Sequence, residues 1–204
     1  FTNNDSAYET AISLIQKGIN IEAIIDNREE IDSKLVYEIE KNNIKIFKGF
    51  TVIDTLGYKR INKISIMQLS KDGQKVIGSK KNLSCDCLGI SGGWTPAVHL
   101  FTQSGGKLKF REEDQVFIPN THSSDQLSVG SCNGDLTLDE ILMNTPNALK
   151  KFLNIKSTEY ENIDFLSSTN KSKRNIWLLP SDKILGKTKS FVDYQNDATA
   201  KDIK

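Results

Sequence analysis

The 204-residue chain predicts an α/β fold: a βαβ-type, nucleotide-binding-like unit carrying an antiparallel meander, followed by a return to a second α/β segment. Three observations carry this. Apolar residues at helical spacing in "SAYETAISLIQKG" give way to a short β-branched run, "INIEAIID". The same alternation recurs at once in "DSKLVYEIEKNN" and "IKIFKG". From Thr51 the pattern changes to strands separated by turns. Helices alternating with strands over short links imply parallel pairing, and strands joined by tight turns imply antiparallel pairing.

The first helix is expected to start at an N-cap, Asp5 or Ser6, with Glu9 as the capping-box partner of Ser6, and to stop at Gly18. Ala7, Ala11, Leu14 and Ile15 form its apolar stripe. The strand after it ends at Asp26, and the second helix points Leu35, Val36 and Ile39 inward. In "TVIDTLGYKRINKISIMQLSKDGQKVIGSKKNLSCDCLGIS" the turn "KDGQ" joins two strands of a three-stranded meander, closed by a strand running through Cys85 and Cys87 to Ile90. Phe101 to Pro119 reads as loop. "VGSCNGDLTLDEIL" reads as strand, glycine turn, then a helix from Leu138. About 154 to 189 is a polar linker with one docking segment, Ile176 to Pro180. The chain opens on Phe1 as if a strand had just finished and closes on a helix start, so it reads as a piece of a longer protein whose preceding strand is missing.

Composition narrows the function. With 27 basic and 26 acidic residues, the net charge of +1 supplies no field for nucleic acid or an anionic membrane. No apolar run approaches the roughly 20 residues of a membrane span. Three cysteines are an odd number and no disulfide framework, which suits a cytoplasmic setting.

The chemistry-bearing residues are sparse. Cys85 and Cys87, two apart on the expected strand, lack the spacing of a CxxC redox pair, and with the lone Cys132 they do not complete a zinc site. They read as small packing residues. His99, after Pro96 in an apolar context, reads as structural, and His122 in "NTHSSD" as solvated. Asp26 stands where a dinucleotide-binding unit keeps an acid for the ribose hydroxyls, but the first strand–helix turn reads "TNNDSAY" and has no glycine loop. Two other stretches do carry glycines at a strand end: "ISGGWTP", with Gly92 and Gly93, and "SVGSCNGDLTL", with Gly130 and Gly134 ahead of the helix. Both leave backbone N–H groups near a ligand, and the second suits an anionic group at a helix N-terminus.

These two stretches, in this order, are the pattern of flavoproteins with two dinucleotide domains. "LGISGGWTPAVHLFTQSGGKLKF" goes further and resembles the α subunits of heterotetrameric sarcosine oxidase, as do "FTNNDSAYETA", "VGSCNGDLTL" and "SFVDYQNDATAKDI". The resemblance spans nearly the whole chain and is weakest from about 145 to 175. It implies a disulfide-reductase-like FAD/NAD(P)-binding fold divided into an inserted subdomain with the meander (1–88), the return segment of the NAD-holding domain (89–153), a linker (154–186) and the start of a small helical domain (187–204). It implies a noncatalytic NAD completed by an upstream domain, with Gly130, Ser131, Leu136 and Thr137 at its distal turn. Relatives that bind FAD here carry Asp after the first glycine, where this chain has Ser131. It places FMN at an interface with the β subunit, near Gly92, Gly93 and residues 99–106, and puts FAD and the amine-oxidising residues on that partner, with γ and δ subunits completing a heterotetramer. The implied reaction oxidises sarcosine to glycine, reduces oxygen to peroxide and passes the one-carbon unit to tetrahydrofolate. No catalytic residue is assigned to this chain. The alternatives are a related amine, opine or proline dehydrogenase subunit, or a nucleotide-fold scaffold without cofactor.

Overall fold

The structure, a computed structural model, describes residues 1–121, 126–155, 176–183, 191–193 and 196–203. They form two compact units: Phe1–Gly92 with Ile176–Lys204, and Gly93–Asn175.

In the first unit, α1 (Ser6–Gln16) leads to β1 (Ala23–Asp26), α2 (Ser33–Glu40) and β2 (Lys45–Lys48). β1 and β2 pair in parallel, Ala23 opposite Lys45 and Asp26 opposite Lys48, as the alternating periods predict. Thr2 forms parallel bridges to Asp26 on one side and to Ser91 on the other. The spatial order is therefore β2, β1, Thr2, Ser91, the arrangement in which a doubly wound sheet reverses direction beside its first strand. Gly18 ends α1 in the left-handed region (φ 79°).

Alternate side chains of β1 serve opposite faces. Ile24 packs with Tyr8, Ala11, Ile39 and Ile44 under the helices. Ile25 packs with Ile64 and Ile66 of the meander, with Phe47, Phe50 and Leu83 around them. That meander is β3 (Phe50–Gly57), β4 (Ile61–Leu69) and β5 (Val76–Ser84), antiparallel in that order. Its β4–β5 turn is the expected one: Gly73 is left-handed (φ 73°) and Ser70 N–H donates to the Lys75 carbonyl at 2.9 Å. The Lys81 ammonium lies 5.0 Å from the Phe50 ring centre, a cation–π contact. The segment 176–183 meets this meander through two exposed ion pairs, Lys183 with Asp54 (2.7 Å) and Lys80 with Asp182 (3.5 Å).

The second unit contains α3 (His99–Gln103), β6 (Lys107–Arg111), β7 (Val116–Thr121), a 3-10 turn at Gly130–Asn133 and α4 (Leu138–Leu153). β6 and β7 form a hairpin, Phe110 opposite Phe117, with the two rings edge to face at 5.2 Å. This corrects the loop expected from Phe101 to Pro119. Val116 and Ile118 alternate inward and are buried, and Gln115 takes the left-handed conformation (φ 54°) that tightens the turn. Gly106 must be glycine, since a Cβ there would stand 2.4 Å from the Phe101 ring. β8 (Phe191–Asp193), β9 (Ala198–Thr199) and α5 (Ala200–Ile203) end the chain in the first unit.

Three local expectations are corrected. The Ser6–Glu9 capping box is not made: Asp5 is the N-cap, in helical conformation and without a side-chain cap, and the Ser6 hydroxyl donates to Asn4 Oδ1 at 2.6 Å. β5 stops at Ser84, so Cys85 and Cys87 follow the strand instead of lying on it. No ladder forms before Gly130, where Leu127–Val129 runs without strand pairing.

Candidate functional site

Two places correspond to the nucleotide-binding positions that the sequence suggests, one in each unit. The first is the crevice beside the Thr2–Ser91 bridge, where an α/β sheet of this order places its ligand. Thr2, Asn4 and Ala7 stand at the three positions of a G-x-G-x-x-G/A fingerprint, directly before and within the first turn of α1. Only Ala7 keeps a small side chain. The Thr2 hydroxyl takes the Asn4 N–H at 3.1 Å and donates to the Asn4 carbonyl at 3.0 Å. The Asn3 amide crosses to the Gly92 carbonyl (2.7 Å), and the Asn4 amide crosses to the Ser91 carbonyl (3.2 Å) and hydroxyl (3.0 Å).

Asp26 ends β1 as expected but is wholly buried and engaged. Its Oδ2 accepts from Tyr8 Oη at 3.1 Å and from Arg28 Nη2 at 2.8 Å, and its Oδ1 accepts from the Arg28 backbone N–H at 2.9 Å and from Nε at 3.1 Å. Arg28 Nη1 reaches Asp5 Oδ1 at 2.7 Å. Asp5, Asp26 and Arg28 are 6%, 0% and 3% exposed, so this is a buried ion triad with a tyrosine attached. Burial alone would lower the Arg28 pKa, but the bonds to Asp26 and Asp5 outweigh it and hold it above the ordinary arginine value. Burial, and then the Asp26 charge, push Tyr8 well above the ordinary tyrosine range.

The second place is the turn Gly130–Thr137. Gly130 is buried and left-handed (φ 68°), and Gly134 is left-handed (φ 92°). Arg111 of β6 clamps the turn: it pairs with buried Asp114 and donates Nη2–H to the Gly134 carbonyl at 3.0 Å. A Cβ on Gly134 would stand 2.7 Å from that Nη2. Thr137 N-caps α4 in a complete capping box, its Oγ1 accepting from Glu140 N–H. The Glu140 carboxylate in return accepts from the N–H groups of Leu136 (3.0 Å) and Thr137 (3.1 Å). The start of α4 thus carries its own carboxylate on these two donors, where an external anion was expected. Ser131 remains exposed.

The structure brings Gly130, Ser131, Leu136 and Thr137 together on this one turn. Gly92 and Gly93 fall in different units. Gly93 is left-handed (φ 123°), as a tight turn requires, whereas a Cβ on Gly92 would meet open space. His99 is exposed at the start of α3, and His122 lies outside the described residues. The three cysteines are free thiols. Burial, and then the neighbouring Asp86, push the Cys85 thiol up, away from a reactive thiolate. Among the described residues no group of His, Cys, Asp and Glu could hold a metal ion, and no helix is long and apolar enough to cross a membrane. A cavity of about 480 Å³ lies beside Phe1, between β1 and residues 83–91, lined by Leu14, Ile24, Leu83, Cys85 and Leu88. Its walls are mainly apolar, with Asn20, Glu22, Ser84 and Asp86 among its polar residues.

Sequence reasoning missed Arg28 and Arg111. Each has a carboxylate two or three residues away, Asp26 and Asp114, but its further partner, Asp5 for Arg28 and the Gly134 carbonyl for Arg111, is distant in sequence.

No protein-family model matches the chain. It is 27% identical over 216 residues to sarcosine oxidase subunit alpha of Corynebacterium sp. (strain P-1), covering 99% of this chain and 21% of that protein. The same subunit of Rhizobium meliloti (strain 1021) is 24% identical over 218 residues, covering 100% of this chain and 19% of the relative. The chain spans about a fifth of the length of these curated relatives. Among solved structures, the crystal structure of T. acidophilum thioredoxin reductase aligns with a TM-score of 0.50 at 17% identity, over 75% of this chain and 51% of that one. The fold is thus of the FAD/NAD(P)-binding, disulfide-reductase-like kind, and over its whole length the chain is similar to part of the sarcosine oxidase α subunits.

Proposed function

We propose that this chain is the nucleotide-holding part of a sarcosine oxidase α subunit. Its own contribution is to hold NAD without reacting with it and to position the subunits around it. The observation that carries this reading is the match to sarcosine oxidase α subunits along 99–100% of the chain. The geometry supports it in the second unit. There Gly130 and Gly134 turn the backbone tightly, Arg111 clamps the turn, and Ser131 is left exposed. With Glu140 on the Leu136 and Thr137 amides, Ser131 is the polar group that this turn offers the nucleotide. We place FMN at an interface with the β subunit, on the side of Gly92, Gly93 and residues 99–106. FAD and amine oxidation are assigned to that partner, and tetrahydrofolate to another part of the complex. The domain division at 88, 153 and 186 belongs to the same proposal. The overall reaction is oxidative demethylation of sarcosine to glycine, with oxygen reduced to peroxide and the one-carbon unit passed to tetrahydrofolate.

The test is peroxide release on adding sarcosine to the full-length chain co-expressed with its neighbouring subunits, with and without tetrahydrofolate. Sarcosine-dependent peroxide, with less free formaldehyde when folate is present, is the expected result. Bound flavin without a response to sarcosine would move the substrate to another amine, opine or proline. A complex without nucleotide or flavin would reduce the chain to a scaffold.

A further inference from the structure

In the first unit the parallel β1–β2 pair is extended by single bridges to Thr2 and Ser91, and folds of this order bind dinucleotides in the crevice where strand order reverses. Such binding needs three things: loop N–H groups open toward a pyrophosphate, a carboxylate at the end of the second strand open toward ribose hydroxyls, and space for the ligand between them. In this chain the molecule's own atoms engage groups of all three kinds. The Asn4 N–H is taken by the Thr2 hydroxyl. Both Asp26 oxygens are taken, by Tyr8 and by three N–H groups of Arg28. The space is crossed by the Asn3 and Asn4 amides, bonded to Gly92 and Ser91 of the facing segment. The Arg28 guanidinium is turned inward between Asp5 and Asp26 and is 3% exposed.

We infer that this crevice is closed to dinucleotides by its own side chains, so that the first unit binds neither NAD nor NADP and is a structural partner for the nucleotide site elsewhere. Charge decides the matter. To enter, a pyrophosphate would have to pull Arg28 away from two buried carboxylates, leaving them unpaired beside a dianion. To reach ribose, it would have to displace Tyr8 and Arg28 from Asp26. Thr2 and Asn4 carry side chains where glycines would let the backbone approach the ligand. The inference is separate from the proposed NAD site on the Gly130 turn, and its failure is read on different peptides.

The experiment is photolabelling of the full-length protein, in its complex, with azido-adenine analogues of NAD and of NADP at millimolar concentration, followed by proteolysis and mass spectrometry. Total dinucleotide per chain is counted after acid release. The expected result is no adduct above a light-free control on peptides spanning 1–9, 24–29 and 89–92, and no more than one dinucleotide per chain. Adducts on those peptides that unlabelled dinucleotide suppresses, or two dinucleotides per chain, would overturn the inference. Adducts on the peptide spanning 130–141 bear only on the proposed NAD site.

Discussion

Replacing Arg28 by Met tests the closed crevice through its energetics. The guanidinium lies 2.7 Å from Asp5 and 2.8 Å from Asp26, and all three side chains are at most 6% exposed. At an effective dielectric of about 20, each contact is worth about 6 kcal/mol of Coulomb attraction. Desolvation of three ions offsets most of this, so the intact triad is near neutral relative to an apolar replacement. Removing only the arginine is different, because the desolvated carboxylates stay and their compensation goes. The expected loss is about 3–5 kcal/mol, which is a large part of the roughly 5–15 kcal/mol available to a typical domain. The assay is native-state hydrogen exchange in the full chain, reading the opening free energy of the Ile25 and Asn27 amides, since the Asn27 N–H bonds the Thr2 carbonyl (3.1 Å) across the strand that the triad anchors. The triple variant Asp5→Asn, Asp26→Asn, Arg28→Met removes all the charges and should recover part of the loss. A loss below about 1 kcal/mol for Arg28→Met, the value of an exposed pair, would refute the buried-triad argument and with it the reason for a closed crevice.

Three further outcomes are expected. The Tyr8 hydroxyl is held well above its usual range by burial and by Asp26, so the fold retains a proton that the unfolded chain loses near pH 10. Stability from this group is complete below about pH 10 and falls above it by up to about 1.4 kcal/mol per pH unit; denaturant titrations between neutral and strongly alkaline pH should show this slope, and Tyr8→Phe should lack it. Thr137→Ala removes the capping box of α4 and should cost about 1 kcal/mol, measured as a lower urea midpoint at unchanged slope. Gly134→Ala places a methyl 2.7 Å from Arg111 Nη2 in a left-handed backbone (φ 92°) and should cost more than about 2 kcal/mol, whereas Gly92→Ala, with nothing within 4 Å, should stay within about 0.5 kcal/mol; equal costs in thermal melts would contradict the clamp.

What could be read from the sequence was what local pattern encodes. The period-3.6 stripe ending at Gly18, the β-branched run to Asp26 and the "KDGQ" turn placed α1, β1 and the meander, because each depends on neighbours in sequence. The capping box at Ser6 and Glu9 had the right spacing and was not made, because Ser6 bonds Asn4 instead; the box at Thr137 and Glu140 was made and went unnoticed. The β6–β7 hairpin was hidden by Pro119 and by the glycines before Lys107, though Val116 and Ile118 alternate as a half-buried strand should. Arg28 could not have been found by pattern. It lies two residues after Asp26 in a charged stretch, and its second carboxylate, Asp5, comes from the other side of α1.

The first unit separates topology from chemistry. Strand order, the small residue at Ala7 and the acid at Asp26 are what a dinucleotide crevice needs for its frame, and all are present. What differs is the set of groups that would meet the ligand. Each is turned inward: a hydroxyl on the loop amide, a guanidinium on the strand-end acid, two carboxamides across the gap. A crevice that had only lost its glycines would leave Asp26 buried and uncompensated, at a cost of several kcal/mol. Arg28 and Tyr8 remove that cost, so the same bonds that satisfy Asp26 also exclude a ligand from the crevice. Restoring a glycine loop alone should therefore not restore binding. The triad would have to be dismantled as well, and with it part of what holds β1 to the first strand.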